Sequence, residues 1–349
     1  ELDLAVLGLS LLGNVQVAHD LDARRDRGAV ARRDLDVGPE RAVLAEADAD
    51  PDAGADAVKF QNYRTEDFVS DAALTYEYMS QGTTVTESQF EMFKRCELSP
   101  EALRQLCAHA EDRGIVFFST PTSVEGLQQL LRLGIPLLKN GSDYLGHLPL
   151  IRAMARSGVA TVLSTGMATH AEIQDAVDAF RQAGGKELIL LHCTSSYPTR
   201  AEEVHLRKMP TLARSFGCPV GFSDHSEGNV AATGAVALGA CFLEKHFTLN
   251  KELPGPDHRF SADPEEFRRL VQAIRTIEKC LGSSELVPAS SEQSGRRDFR
   301  LSCVAARELR AGQRLSMDDI AFKRPGSGFL PKEADRLLEG VLSRDVPAG

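Results

Sequence analysis

From residue 53 onward the chain alternates short runs rich in β-branched and aromatic residues with polar turns and longer segments of helical apolar spacing. This alternation constrains the fold more than any other feature. Strand, crossover helix and parallel strand make a βαβ unit, and repetition of that unit builds a parallel sheet. The spacing predicts strands over 55–60, 115–120, 136–139, 160–164, 187–193, 219–223 and 241–248, and helices over 99–113, 123–133, 170–183 and 264–281. Several of these helices open on Ser, Thr or Asp and close on glycine. A chain of 349 residues accommodates a barrel of about 250 residues plus a module of about 60. The expected class is therefore α/β, a (β/α)8 TIM barrel with a small β-rich C-terminal domain. Only seven strands are predicted from residue 53 on, so the first barrel strand is expected to be atypical or missing.

The eighth strand has to come from residues 1–52, which are foreign to the rest. The stretch contains no Lys, Thr, Ile, Met, Cys or aromatic residue, and its twelve acids outnumber its six arginines. Residues 24–52 follow neither a strand nor a helix period, a texture closer to disorder than to a core. Residues 2–9 offer a surrogate strand. Two readings of the segment stand open, an out-of-frame or otherwise corrupted amino terminus and a low-complexity extension. The expected organisation is an atypical segment over 1–52, a barrel over 53–282, a serine-rich linker over 283–298 and a β-rich domain over 299–349, with short strands at 302–305 and 320–323.

Composition narrows the partners. No apolar run approaches the about 18 residues of a membrane span, and residues 2–12 lack the basic flank and small-residue cleavage pattern of a signal peptide. The seven cysteines are scattered and never spaced Cys-x-x-Cys, which fits reduced thiols in a cytoplasmic protein. A formal charge of −10 with no basic block argues against nucleic acid or an anionic membrane. An anionic substrate must then be held by local cations in a pocket.

In a parallel barrel the working groups sit at the C-terminal ends of strands. Reading those ends yields Lys59 and Gln61, Ser119 and Thr120, Lys139 and Ser142, Ser164 and Thr165, then His192, Thr194 and Ser195, then Ser223, Asp224 and His225, and finally Glu244 and His246. Lysines beside hydroxyls supply the charge and the donors that a phosphate or carboxylate needs. His225 and His246 end adjacent strands; they suit either one shared divalent ion or a pair of hydrogen-bonded core histidines. Asp224 and Glu244 are candidates for oxygen ligands or for partners behind the ligands. A mixed nitrogen and oxygen site favours Mn2+ or Mg2+ over a structural zinc.

The segments 55–61 (ADAVKFQ), 118–121 (FSTP), 163–167 (LSTGM), 192–198 (HCTSSYP), 221–225 (GFSDH) and 243–247 (LEKHF), extended by 254–258 (PGPDH) and 323–326 (KRPG), together resemble the N-acetylneuraminate (sialic acid) synthase family. That family includes legionaminic and pseudaminic acid synthases and spore-coat polysaccharide synthases of the same type. The resemblance implies a TIM barrel joined to an antifreeze-like (SAF) domain in a domain-swapped homodimer. It implies condensation of phosphoenolpyruvate with an N-acyl amino sugar, either N-acetylmannosamine or a diacetamido-trideoxyhexose. By position, Lys59, Thr120, Lys139, Ser142, Ser164, Ser195 and Ser223 would hold phosphoenolpyruvate, and His225 and His246 a divalent metal, Mn2+ or Mg2+. Gln61, Tyr197, Glu244 and Asp257 would contact the open-chain sugar or its metal-bound water, and Arg324 of the other subunit would meet the N-acyl group.

The chain departs from the family's pattern in places. Ser195 stands where some members carry asparagine, Asp143-Tyr144 replaces a Gly-Glu pair, and residues 1–52 contain neither the usual first-strand glutamate nor its Asn-His-Asn-Gly loop. Two other readings follow: a catalytically impaired sugar-binding or scaffold homologue, and a Schiff-base aldolase working through Lys139 or Lys245 without a metal.

Overall fold

The computed structural model of the protein describes residues 5–9 and 54–349. Strands β1 (Ala5–Leu9), β2 (Ala57–Asn62), β5 (Val116–Pro121), β6 (Leu137–Asn140), β7 (Ala160–Ser164), β8 (Leu188–Cys193), β9 (Val220–Asp224) and β10 (Phe242–His246) close into one parallel barrel in the order β1-β10-β9-β8-β7-β6-β5-β2. The surrogate strand is thus in place: β1 pairs with β10 from Ala5↔Phe242 to Leu9↔His246 and with β2 at Gly8↔Val58 and Leu9↔Lys59. The out-of-frame and low-complexity readings concern residues 1–52, of which all but 5–9 lie outside the described residues.

Successive side chains of a strand point to opposite faces, and the barrel divides its residues accordingly. One set, Val58, Phe60, Phe117, Leu138, Leu163, Leu190, Phe222 and Leu243, packs outward in the main core with the helices. The other, Ala57, Phe118, Val162, Leu191 and Phe242, forms a smaller cluster that plugs the barrel, each residue at most 1% exposed. Two residues beyond each plug residue stand Lys59, Thr120, Ser164, Cys193 and Glu244, so the first layer above the plug is polar.

The helices between strands follow local signals. His170–Gln182 opens on a capping box in which Thr169 and Glu172 each satisfy the other's backbone. Pro264–Leu281 opens likewise on Asp263 and Glu266. Lys208–Phe216 ends at Gly217, whose φ of 59° suits glycine. After β2 the chain inserts a hairpin, β3 (Thr75–Ser80) and β4 (Thr83–Ser88), that the β/α rhythm did not predict. Its two-residue turn, Gln81-Gly82, has positive φ at both positions, the geometry that matches strand twist.

The chain divides into two compact units between Gly282 and Ser283. In the second, Gln293–Asp298 is helical, and β11 (Ser302–Ala305) pairs antiparallel with β12 (Ile320–Lys323) in the register Ser302↔Lys323. All seven cysteines are free. No helix among the described residues is long and apolar enough to cross a membrane.

Candidate functional site

The polar layer above the plug is knitted by charge. Lys59 Nζ donates to Glu244 Oε1 at 3.0 Å, and Lys139 Nζ lies 3.5 Å from Glu244 Oε2. Lys139 also donates to Ser164 Oγ at 2.6 Å and to the Asn140 carbonyl at 3.1 Å. All three charged groups are nearly inaccessible, at 3% for Lys59, 2% for Lys139 and 4% for Glu244. Two ammonium groups thus share one carboxylate in a buried place, although desolvating each ion costs several kcal/mol. An arriving anion would balance the excess charge. Burial draws the Lys59 ammonium down to about 7 against the pull of Glu244. For Glu244 burial works upward, but Lys139 and Lys59 outweigh it and hold the carboxyl below its ordinary value.

Beside this cluster, Ser142 Oγ lies 3.1 Å from Cys193 Sγ and accepts the Gly166 amide at 3.0 Å. A Cβ on Gly166 would meet Ser195 Oγ at 2.4 Å, Ser142 Oγ at 2.7 Å and Cys193 Sγ at 2.8 Å, so the missing side chain keeps a small polar cradle open. Thr120 Oγ1 and Glu244 Oε2 are buried without hydrogen-bond partners. Buried polar atoms are seldom left so, and these two lie in the polar layer where a ligand would complete them.

The histidines form the second half of the site. Their rings lie 5.2 Å apart, and Tyr197 covers them at 4.3 Å from His225 and 5.8 Å from His246. His225 Nδ1 is 2.8 Å from the Thr194 carbonyl, which can only accept, so Nδ1 carries the proton and Nε2 the lone pair; Ser223 Oγ sits 3.4 Å from Nε2. His246 Nδ1 is buried without a hydrogen-bond partner, 3.5 Å from Asp257 Oδ2. Burial keeps both imidazoles below their ordinary value, His246 well below, with His225 adding to the effect there. Neutral imidazoles are the form a metal takes. Among the described residues no three His, Cys, Asp or Glu converge as a ready ligand set. The two imidazoles, the orphaned His246 Nδ1 among their nitrogens, fit a cation that draws its other ligands from water and substrate. Burial raises the Asp257 carboxyl to about 7.

Several residues read at strand ends face the other way. Ser119 donates to the Phe60 carbonyl at 2.8 Å, Thr165 to the Leu191 carbonyl at 2.9 Å, and His192 Nε2 to the Val204 carbonyl at 2.6 Å. Their hydrogen bonds serve the barrel wall. Asp224, expected as a ligand or a partner of the histidines, instead bonds Lys245 and Ser226 behind the wall. Lys245 is held in that ion pair at 3.0 Å, which leaves no free amine for a Schiff base. Gln61 lies at the mouth, partly buried beside Thr120 in the β2–β5 ladder. Arg324 belongs to the second unit, 5.5 Å over the Phe299 ring. Sequence reasoning missed Cys193 and Gly166. Cys193 stands two residues past Leu191, so the two-residue stride would have found it, whereas Phe260, edge to face with His246 at 5.1 Å, gave no signal.

Residues 47–286 match the NeuB family and residues 302–349 the SAF domain. An uncharacterized protein of Methanocaldococcus jannaschii is 43% identical, over 89% of this chain and 87% of its own. The N,N'-diacetyllegionaminic acid synthase of Legionella pneumophila is 39% identical, over 85% of each chain. The solved structure of the N-acetylneuraminic acid (sialic acid) synthetase from Leptospira borgpetersenii, in complex with citrate, is 34% identical and has a TM-score of 0.66, covering 74% of this chain and 85% of that one.

Proposed function

The chain belongs to the NeuB family, and on that footing we propose that it condenses phosphoenolpyruvate with an N-acyl amino sugar and water, releasing phosphate and a nonulosonic acid. The observation that carries the reading is the buried cluster of Lys59, Lys139 and Glu244, whose carboxylate stands on the same strand, β10, as His246.

In this reading Lys59, Lys139, Thr120, Ser164, Ser142, Ser195 and Ser223 receive the phosphate and carboxylate of phosphoenolpyruvate. Gln61, Tyr197, Glu244 and Asp257 orient the open-chain sugar. Carbon 3 of phosphoenolpyruvate attacks the aldehyde carbon, water adds to carbon 2, and phosphate leaves by C–O cleavage. His225 and His246 would hold a divalent cation, Mn2+ or Mg2+, which when bound polarises the aldehyde. Glu244, kept ionised by its lysines, is an acceptor that steadies positive charge developing at carbon 2. Asp257, with a carboxyl near 7, accepts or returns a proton at the sugar end. A homodimer in which Arg324 reaches the partner's sugar is part of the same proposal and rests on the family likeness.

The test is phosphate release from phosphoenolpyruvate with manganese, comparing N-acetylmannosamine and a diacetamido-trideoxyhexose, with and without chelator. Chelator-sensitive release with one sugar is the expected result and names the acceptor; folded protein that binds both substrates yet releases nothing would favour the binding-only homologue. The Gly166 cradle has its own test. Gly166→Ala would fill the space between Ser142 and Ser195, weakening phosphoenolpyruvate by about tenfold or more at a cost of about 1–3 kcal/mol in stability. Unchanged affinity in a calorimetric titration would place the anion elsewhere.

A further inference from the structure

Each histidine of the site is preceded by a charged residue that faces the opposite side of the barrel wall, Asp224 before His225 and Lys245 before His246. The strand ladder sets Lys245 opposite Asp224. Lys245 Nζ donates to Asp224 Oδ2 at 3.0 Å and also to the Ser226 carbonyl. Asp224 Oδ1 in turn accepts the Ser226 amide at 2.8 Å and hydroxyl at 2.6 Å. The three residues are 4%, 1% and 6% exposed for Lys245, Asp224 and Ser226. They therefore form a buried clamp that joins the end of β10 to the turn after β9, one residue away from each imidazole.

A buried ion pair adds little net stability over well-packed apolar residues of the same volume, so stability alone gives little reason for this one. Its distinctive effect is geometric. It fixes the turn from which His225 projects, a turn whose inner side is held by the Thr194 carbonyl at 2.8 Å from His225 Nδ1 and by the Thr199 amide on the His225 carbonyl at 2.8 Å. On the β10 side the His246 carbonyl accepts the Ala262 amide at 2.8 Å. The clamp's hydrogen bonds join β9, β10 and the turn after β9, whereas Lys59, Lys139 and Ser164 stand on β2, β6 and β7.

We propose that Lys245 and Asp224 are positioning residues that set the spacing and aim of His225 and His246 for a divalent cation, while the two lysines of the anion pocket, Lys59 and Lys139, stand on other strands. The inference rests on the metal-binding part of the proposed function. Its test uses the full chain, wild type against Asp224→Asn/Lys245→Met, which keeps shape and charge balance, and against Ser226→Ala, which removes one hydroxyl and spares the ion pair. Manganese affinity is read from free Mn2+ by electron paramagnetic resonance, and phosphoenolpyruvate affinity by calorimetry in chelator. The double variant is expected to weaken manganese about 10- to 100-fold while phosphoenolpyruvate stays within about twofold. For Ser226→Ala, the loss of one hydrogen bond predicts manganese weakened about threefold. Unchanged manganese affinity in both variants, or equal loss of both ligands, would reduce the clamp to a structural support. If the double variant does not fold, Ser226→Ala decides alone. Wild-type protein that binds no manganese would overturn the functional reading and this inference together, whereas unaltered variants beside a manganese-binding wild type would overturn the inference alone.

Discussion

Replacing His246 with alanine is expected to lower kcat/KM for phosphate release by about a thousandfold. A Lewis acid on a carbonyl supplies several kcal/mol at the transition state, and about 4 kcal/mol lost is about 10³ in rate. The substitution also opens space beside Tyr197 and Phe260, whose rings meet His246 edge to face at 5.8 Å and 5.1 Å, so thermal unfolding should be followed alongside. Manganese affinity should fall with the rate, while phosphoenolpyruvate affinity in chelator, which depends on Lys59 and Lys139, should hold. Full turnover by this variant would sink the metal assignment for the histidine pair.

The second large effect concerns Lys59 and carries a pH signature. Burial lowers its folded value to about 7, so in the free protein the ammonium is present below pH 7 and lost above it. An anion prefers the charged form. Phosphoenolpyruvate affinity should therefore be flat below pH 7 and weaken by about tenfold per unit above it, until the raised value of the complex is reached. Calorimetry in buffers of different ionisation enthalpy would register proton uptake on binding above pH 7. Lys59→Met should weaken phosphoenolpyruvate about 100-fold, the loss of a strong charge-assisted hydrogen bond, and abolish the slope. The slope persisting in that variant would move the titrating group elsewhere. Removing the lysine also leaves Glu244 to Lys139 alone, so the Glu244 carboxyl should rise, and an added loss of stability is expected because the other member of a buried pair is left behind.

Much of the barrel was legible because its signals are local. The runs at 160–164, 187–193 and 219–223 lie within one residue of β7, β8 and β9, and Pro264–Leu281 carries its own start signal at Asp263. The hairpin Thr75–Ser88 was also open to reading, since Gln-Gly between two threonine- and tyrosine-rich runs is a turn signal. The β/α rhythm does not contain it, because a hairpin inserted after β2 is shorter than one β/α unit. The site was partly legible in the same way: Lys59, Thr120, Lys139, Ser164, Ser223, Glu244 and His246 all lie at a strand's last residue or within three residues of it, and strand ends are where parallel barrels work.

The face each strand-end residue takes was not legible. Strands of a parallel barrel are buried on both sides, so they read as continuous apolar runs without the alternation that marks the inner face of a half-exposed strand. Ser119 and Thr120, or Asp224 and His225, are therefore equivalent in one dimension. Only the closed ring makes Phe118 a plug residue and hence turns Thr120 inward and Ser119 to the Phe60 carbonyl. The sequence by itself determined the parallel β/α class, the ends at which polar groups gather and the supply of lysines, hydroxyls and histidines there, because strand period and residue chemistry are short-range properties. Tertiary structure alone decided that Lys59 meets Glu244 across 185 residues of chain and that Ala5–Leu9 fills the gap between β10 and β2. It alone decided, too, that Lys245 guards the back of the wall and not the site. Those outcomes depend on which strands become neighbours and in what register, and both are settled only when the barrel closes.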